Sequence, residues 1–420
     1  MTAVSAPPLP ASADTSPTNH NGAKLRTCML AACPFPANHG TPGSIREMAE
    51  ALSDGGHDVH IVTYHFGEKV DVRGPKIHRI ANWTNESQVR VGPTRYRPLY
   101  DLQMVFKTLQ VIRKERPDVL HAHGYEAGLA AWLCRLVTGI PVVFSWHCTM
   151  GDELPTYNSM PKWLAVGLAR MLDATVPRLG DRCIPHSANI EKFLHGMGLK
   201  GRTTPIIYKG IKLDNPVESD PAEIRNRYGL GDSPVVLYAG IMDRFQRLDL
   251  LMEAMKHVAQ SIPDAKLLLV QTIHHERHLA RVREEIAAAG ISDRVAITEP
   301  LELDGVRQCI PTCDVAVVPR PQSPGFPIKI LNYLAAKRGI VLFRSSSGGL
   351  EHSEHAWLAE PDSAEALGDG IVHLLRDPAL RERLGHNGFD YIREHRDRKV
   401  TAGKIADVYH EAIALKRRSR

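Results

Sequence analysis

CMLAAC (28–33), SIREMAEALS (44–53) and GGHDVHIVTY (55–64) are the segments on which the fold turns. The first is an apolar run of strand length. The second places Ile45, Met48, Ala49 and Leu52 at helical spacing. Gly55-Gly56 supplies a left-handed stop, and Asp58 to Tyr64 alternates as the next strand. Together they make one βαβ unit, the repeating piece of a parallel α/β sheet. Ser44 is placed as the N-cap of this helix, with Gly40 and Gly43 flanking the loop before it.

The same rhythm continues outward. Strands are expected at Asp118 to Ala122, Val142 to Trp146 and Arg182 to Pro185, with helices at Tyr100 to Glu115 and Pro161 to Leu172. A second series opens with strand Val235 to Gly240 and runs through helix Leu248 to Ser261, strand Lys266 to Gln271, strand Val315 to Val318 and helix Ile328 to Lys337. Polar, Pro-bearing sequence from Lys209 to Pro221 separates the two. The pattern predicts an α/β chain of two tandem Rossmann-like domains facing a central cleft, with ligands beyond the carboxyl ends of the strands. The boundaries read as a disordered tail over 1–24, a first domain over 25–207 and a second over 208–389.

Composition sets the limits. The 420 residues carry 52 Lys+Arg against 47 Asp+Glu, a net +5, which argues against a dedicated nucleic-acid binder. At 43 % hydrophobic residues there is material for two cores, which excludes global disorder. The longest apolar candidate for a membrane span, Leu129 to Trp146, is broken by Arg135, Gly139 and Pro141. The tail lacks the basic and apolar regions of a signal peptide. Seven scattered cysteines read as reduced core thiols of a cytoplasmic protein.

Six motifs in order carry a resemblance. They are Pro34-Phe35-Pro36 with Gly40 and Gly43, Gly56-His57-Asp58-Val59-His60, and Pro117-Asp118-Val119-Leu120-His121-Ala122-His123. They continue with Pro141-Val142-Val143-Phe144-Ser145-Trp146-His147, Tyr238-Ala239-Gly240, and Gly325-Phe326-Pro327-Ile328-Lys329-Ile330-Leu331-Asn332-Tyr333. Over about Arg26 to Glu394 the chain resembles the family 4 retaining glycosyltransferases of the GT-B fold. The resemblance implies transfer of a sugar from a nucleotide-activated donor held by the second domain to an acceptor hydroxyl held by the first. It also implies a final helix crossing back onto the first domain, for which 390–413 is the candidate.

Such chemistry needs the leaving diphosphate stabilised and the acceptor oxygen brought close. Lys329, at the start of a helix after Gly325 and Phe326, offers a cation and backbone N–H groups for a diphosphate. Arg244 and Arg247 follow the strand ending at Gly240, where the family places a basic residue, although here the step reads Phe245-Gln246-Arg247. The family's pair of glutamates eight positions apart falls on Pro324 and Asn332. Asn332 still accepts and donates, but Pro324 does not, which leaves backbone N–H groups near Gly325 and Phe326 to hold the sugar.

Gly43 lets backbone approach the diphosphate or the acceptor. His147, ending a strand, matches a family histidine that faces the donor sugar and is the expected catalytic residue. Asp152 and Glu153, in a loop just beyond, are candidates for the acceptor hydroxyl, either as ligand or as base. His123 either lines the acceptor pocket or packs with His121 on one strand face.

His274, His275 and His278 do not match a metal motif, since position 275 is not the glutamate of H-E-x-x-H. The family is commonly metal-independent, so no metal or cofactor is expected beyond the nucleotide sugar as co-substrate. Arg90 to Arg116, basic with interleaved Tyr96, Tyr100, Leu102 and Phe106, reads either as an ordinary packed helix or as a contact with anionic lipid at the inner membrane face. The function expected is transfer of a hexose-type sugar to a lipid-linked or small-molecule hydroxyl with retention. The alternatives are a non-catalytic paralogue that binds a sugar nucleotide or a protein partner, and a sugar-nucleotide epimerase or hydrolase.

Overall fold

Buried apolar runs and amphipathic stretches alternate through the chain and assemble into two parallel sheets. The computed structural model describes residues 23–37, 40–84, 96–157, 160–208, 210–213, 218–321 and 327–418. Of the expected tail, residues 1–22 lie outside the described residues.

The first sheet contains β1 (Arg26–Ala31), β2 (Asp58–Thr63), β3 (Lys76–Arg79), β4 (Val119–His123), β5 (Val142–Trp146) and β6 (Arg182–Pro185). All neighbours are parallel in the order β3-β2-β1-β4-β5-β6. Its helices are α1 (Gly40–Asp54), α2 (Arg97–Glu115), α3 (Tyr125–Thr138), α4 (Met150–Glu153), α5 (Lys162–Thr175) and α6 (Ala188–Gly196). One face packs against α2, α3 and α5 through residues such as Met104, Ala130 and Ala169. β4 and β5, at the sheet's centre, are buried on both sides.

The second sheet repeats the plan. It contains α7 (Pro221–Arg227), β7 (Val235–Gly240), α8 (Leu248–Ser261), β8 (Lys266–Gln271), α9 (Glu276–Ala289), β9 (Val295–Ile297), α10 (Leu303–Cys309), β10 (Val315–Val318), α11 (Ile328–Ala335), β11 (Gly339–Phe343), β12 (Trp357–Ala359) and α12 (Ala364–Arg376). The strand order is β12-β11-β10-β7-β8-β9. Both sheets therefore have the 3-2-1-4-5-6 order of a dinucleotide-type fold, with switch points between β1 and β4 and between β7 and β10.

The chain closes with α13 (Pro378–His395) and α14 (Arg398–Arg418). The sequence reading of one crossing helix over 390–413 is corrected here. α13 packs on α11 and β11 of the second sheet, whereas α14 lies on α1, β4 and β5 of the first. The break has a physical cause, because the backbone between them pairs with the outgoing crossover. Ile211 N donates to Arg396 O (2.8 Å), and Arg398 N donates to Ile211 O (3.0 Å). The buried Arg396 guanidinium stacks on Tyr208 at 3.6 Å. Arg398, 6 % exposed, sits 3.5, 3.2 and 2.7 Å from carboxylate oxygens of Glu47, Glu50 and Asp54 on α1.

Two other expectations change. α1 begins at Gly40, because Pro42 fits the first helical turn, so Ser44 lies inside the helix. Its hydroxyl donates to Gly40 O (3.1 Å) instead of capping. The segment carrying Asp152 and Glu153 is α4 rather than a loop.

Candidate active site

Four histidines gather at the carboxyl ends of β4, β5 and β6. The rings of His121 and His123 lie 4.2 Å apart, those of His123 and His147 5.6 Å, and those of His147 and His186 4.7 Å. His121 is structural: its two nitrogens meet the hydroxyls of Tyr409 (2.7 Å) and Ser145 (2.8 Å), tying β4 to β5 and to α14. Burial lowers its pKa to about 3. Burial, with His121 and His186 beside it, also holds His123 well below the usual histidine range. Both rings are neutral at physiological pH, and both readings of the His-x-His pair are realised, His121 packing and His123 lining a cavity. His147 lies between that cavity and a crevice shared with His186, Tyr208 and Gly210 of the crossover.

The cavity measures about 460 Å³. One side is formed by the start of α1 with Arg97, His123 and Glu126, the other by α4, α5 and the segment between them. Gly43 is buried in the first turn of α1, next to Gly40, Thr41 and Pro42 of the lining. Arg97 donates to Ala32 O (3.2 Å) and to the Tyr64 hydroxyl (3.4 Å), and lies 3.9 Å from Glu126. Burial raises the Glu126 carboxyl above its usual range against the pull of Arg97.

Of the two expected acceptor acids, Glu153 lines the cavity and receives the Cys148 thiol at 3.0 Å. Asp152 is exposed and accepts from the Thr149 hydroxyl (2.7 Å), while its own N–H donates back to Thr149 (3.2 Å). Asp173 fixes α4 by accepting from Met150 N (2.9 Å), Gly151 N (3.0 Å) and the Tyr125 hydroxyl.

In the second domain the geometry centres on Lys329, in the first turn of α11. Its ammonium lies 4.0 Å above the Tyr238 ring and donates to the Tyr238 hydroxyl (2.8 Å) and to Gln246 Oε1 (3.0 Å). Tyr238 in turn donates to Ile241 O (2.7 Å). Gly240 at the end of β7 has φ +150°, and a Cβ there would come within 2.7 Å of the Lys329 nitrogen. Only glycine leaves the amine its place. Burial, reinforced by the charge of Arg320, lowers the Lys329 pKa to about 7.

Arg320, stacked 4.3 Å from the Phe245 ring, is the second cation here. The sequence reading missed it, although its position just after β10 at the switch point was a usable signal. Arg244 and Arg247 line a separate surface hollow with Arg281, Glu284 and Glu285. Arg247 is bound to Asp249 by contacts of 2.8 to 3.1 Å. Asn332 lies one turn beyond Lys329 on α11, and Gly325, Phe326 and Pro324 fall outside the described residues. His275 and His278 stack at 3.9 Å, while His274 meets Glu276 at 3.3 Å. No described helix is long and apolar enough to cross a membrane.

The family model described as Glycosyltransferase Family 4 matches residues 40–215, and that described as Glycosyl transferases group 1 matches 233–377. The chain belongs to the family 4 glycosyltransferases. This glycosyltransferase is similar to the N-acetyl-alpha-D-glucosaminyl L-malate synthase of Bacillus anthracis, with 20 % identity over 387 residues, 90 % of this chain and 96 % of the relative. Among solved structures it resembles the sucrose-phosphate synthase of Thermosynechococcus elongatus, with TM-score 0.75, 19 % identity and coverage of 93 % of this chain and 100 % of that one. It also resembles Anabaena HepE in complex with UDP, with TM-score 0.73, 16 % identity and coverage of 92 % and 100 %. These likenesses show the GT-B fold of the glycosyltransferase. The non-catalytic alternative is not favoured.

Proposed function

We propose that the enzyme moves a hexose-type sugar from a nucleoside-diphosphate sugar to an acceptor hydroxyl with retention. The observation that carries this reading is Lys329, an enclosed cation at a helix start, facing Gly240 and reinforced by Arg320. In the transfer, the bond from the sugar's anomeric carbon to the diphosphate oxygen breaks and the bond to the acceptor oxygen forms. The acceptor proton leaves with the departing diphosphate. Lys329 and Arg320 stabilise the negative charge that develops on that diphosphate, where fixed charges act without reorganisation. Asn332 is assigned to the ribose and the first turn of α1 at Gly43 to backbone approach, while Arg244, in its own surface hollow, is assigned no part. His147 is assigned to the donor sugar, and Glu153 and His123 to the acceptor. No metal is assigned a part. Retention rests on the family.

The test is nucleoside-diphosphate release from UDP-, GDP- and ADP-sugars with a lipid and small-metabolite extract as acceptor. Acceptor-dependent release is expected, and His147→Ala is expected to lower it about tenfold, the worth of one positioning hydrogen bond. Consumption of donor without any acceptor would overturn the reading in favour of hydrolysis.

A peripheral contact with an anionic membrane belongs to the same proposal. Its support is the outer stripe of α3, where Leu129, Leu133, Leu136 and Val137 are exposed, beside the exposed Arg113 and Lys114 ending α2. Co-sedimentation with phosphatidylglycerol vesicles is expected and should be lost in Leu133→Glu/Leu136→Glu. Equal retention by neutral phosphatidylcholine vesicles would contradict an electrostatic contribution.

A further inference from the structure

We propose that the acceptor is a neutral hydroxyl compound with an apolar body, an alkyl or aryl group seated against the wall of the first-domain cavity made by α4 and α5. This rests on the reading above, in which that cavity receives the acceptor. The wall is chemically one-sided: Met150, Leu154, Met160, Leu168 and Leu172 all contribute to the lining. Each also packs on or within the core of the first domain, so these side chains are held in place rather than free to collapse into the space. Apolar walls around a space of this size favour a ligand that displaces water from them.

Charge points the same way. Among the described lining residues the acidic and basic side chains, histidines aside, are Arg97, Glu126 and Glu153, two carboxyls against one guanidinium. The guanidinium is already engaged by Ala32 O, the Tyr64 hydroxyl and Glu126. His123 is held neutral by its burial and adds no charge. An acceptor carrying carboxylate or phosphate would therefore meet two carboxyls, a guanidinium already engaged and an apolar wall, with no further lysine or arginine among the described lining residues to receive it. A hydroxyl suits Glu153, whose carboxyl lines the cavity and receives the Cys148 thiol. The geometry thus separates this chain from a relative whose name specifies L-malate.

The experiment is isothermal titration of the full chain with methyl, butyl, hexyl and octyl β-glucoside below their micelle concentrations, and with L-malate and glucose 6-phosphate as anionic probes. Kd is expected to fall about fourfold for each methylene that reaches the wall. The anionic probes are expected to bind more weakly than hexyl glucoside. Leu168→Asp should flatten the chain-length dependence. Met160→Ser, outside any helix, should weaken it and serves if the first variant does not fold.

A flat series in the wild type overturns the proposal. So does a slope unchanged in folded variants, because the chains then bind elsewhere, and so does tighter binding of either anion to protein saturated with UDP. Titration with UDP, GDP and ADP in the same protein keeps the two ideas apart. Failure of every nucleotide to bind counts against the donor site around Lys329, whereas the chain-length slope reports on the wall alone.

Discussion

Lys329→Ala is expected to lower kcat/KM for the nucleotide sugar by about a hundredfold to a thousandfold, the effect of removing one fixed donor from a developing anion. It is also expected to abolish a pH dependence that the wild type should show. With the site empty, burial and Arg320 place the Lys329 pKa near 7. A diphosphate favours the ammonium, so binding raises that pKa. Below pH 7 the lysine is already charged and affinity is flat. Above pH 7 each binding event takes up a proton, and affinity falls towards a limit of about tenfold per pH unit until the pKa of the bound state is reached. Nucleoside-diphosphate titrations from pH 6 to 9 in two buffers of different ionisation enthalpy check this. A flat wild-type profile, or an unchanged slope in Lys329→Ala, would place the titrating group elsewhere.

Arg398→Ala is expected to cost about 3 kcal/mol or more of stability, read as a loss in the urea midpoint with the slope unchanged. The buried guanidinium lies within 3.5 Å of carboxylate oxygens of Glu47, Glu50 and Asp54, so its removal takes the shared cation from three acidic side chains of α1. Among the described residues only Glu47 of the three keeps another cationic partner, Arg46 at 3.2 Å. It also removes the clamp at the point where α14 turns back onto the first sheet. Arg398→Lys keeps the charge but cannot span several carboxylates with one planar fork, and an intermediate loss is expected. Equal stability of Arg398→Ala and wild type would mean that apolar packing alone holds α14.

How much of this was readable beforehand depends on what each element rests on. β5, β7, β8 and α8 match the expected ranges because a buried strand or an amphipathic helix writes its own period into the sequence. β3 went unread, since Lys76 to Arg79 is a half-polar edge strand without a clear alternation. The start of α1 was misplaced because Gly40, Pro42 and Gly43 look like a loop, although proline is compatible with a first turn. The break before α14 depends on Ile211 pairing with Arg396 and Arg398 across nearly two hundred residues of sequence, as a count of positions shows.

The site divides in the same way. Lys329, His147 and Glu153 were legible from their place after strands or at helix starts. Gln246 was not, and the relation of Arg320 to Lys329 was not either, because both come from the sheet bringing β7 and β10 together. Asp152 and Glu153 were indistinguishable as neighbours in sequence, and only the turn of α4 sends one to the cavity and the other to Thr149.

The return of α14 fixes an order of events during synthesis. Met29, Ile61, Val143 and Ile184 on one face of the first sheet are covered by Ile405, Tyr409 and Ala412, which emerge from the ribosome only after the whole second domain. Until then the nascent first domain presents this apolar face covered by α1 alone, and a fragment ending at residue 207 would keep the rest of it exposed. The amino-terminal half is therefore completed last, and chaperone demand should fall abruptly once residues 398–412 are free to dock.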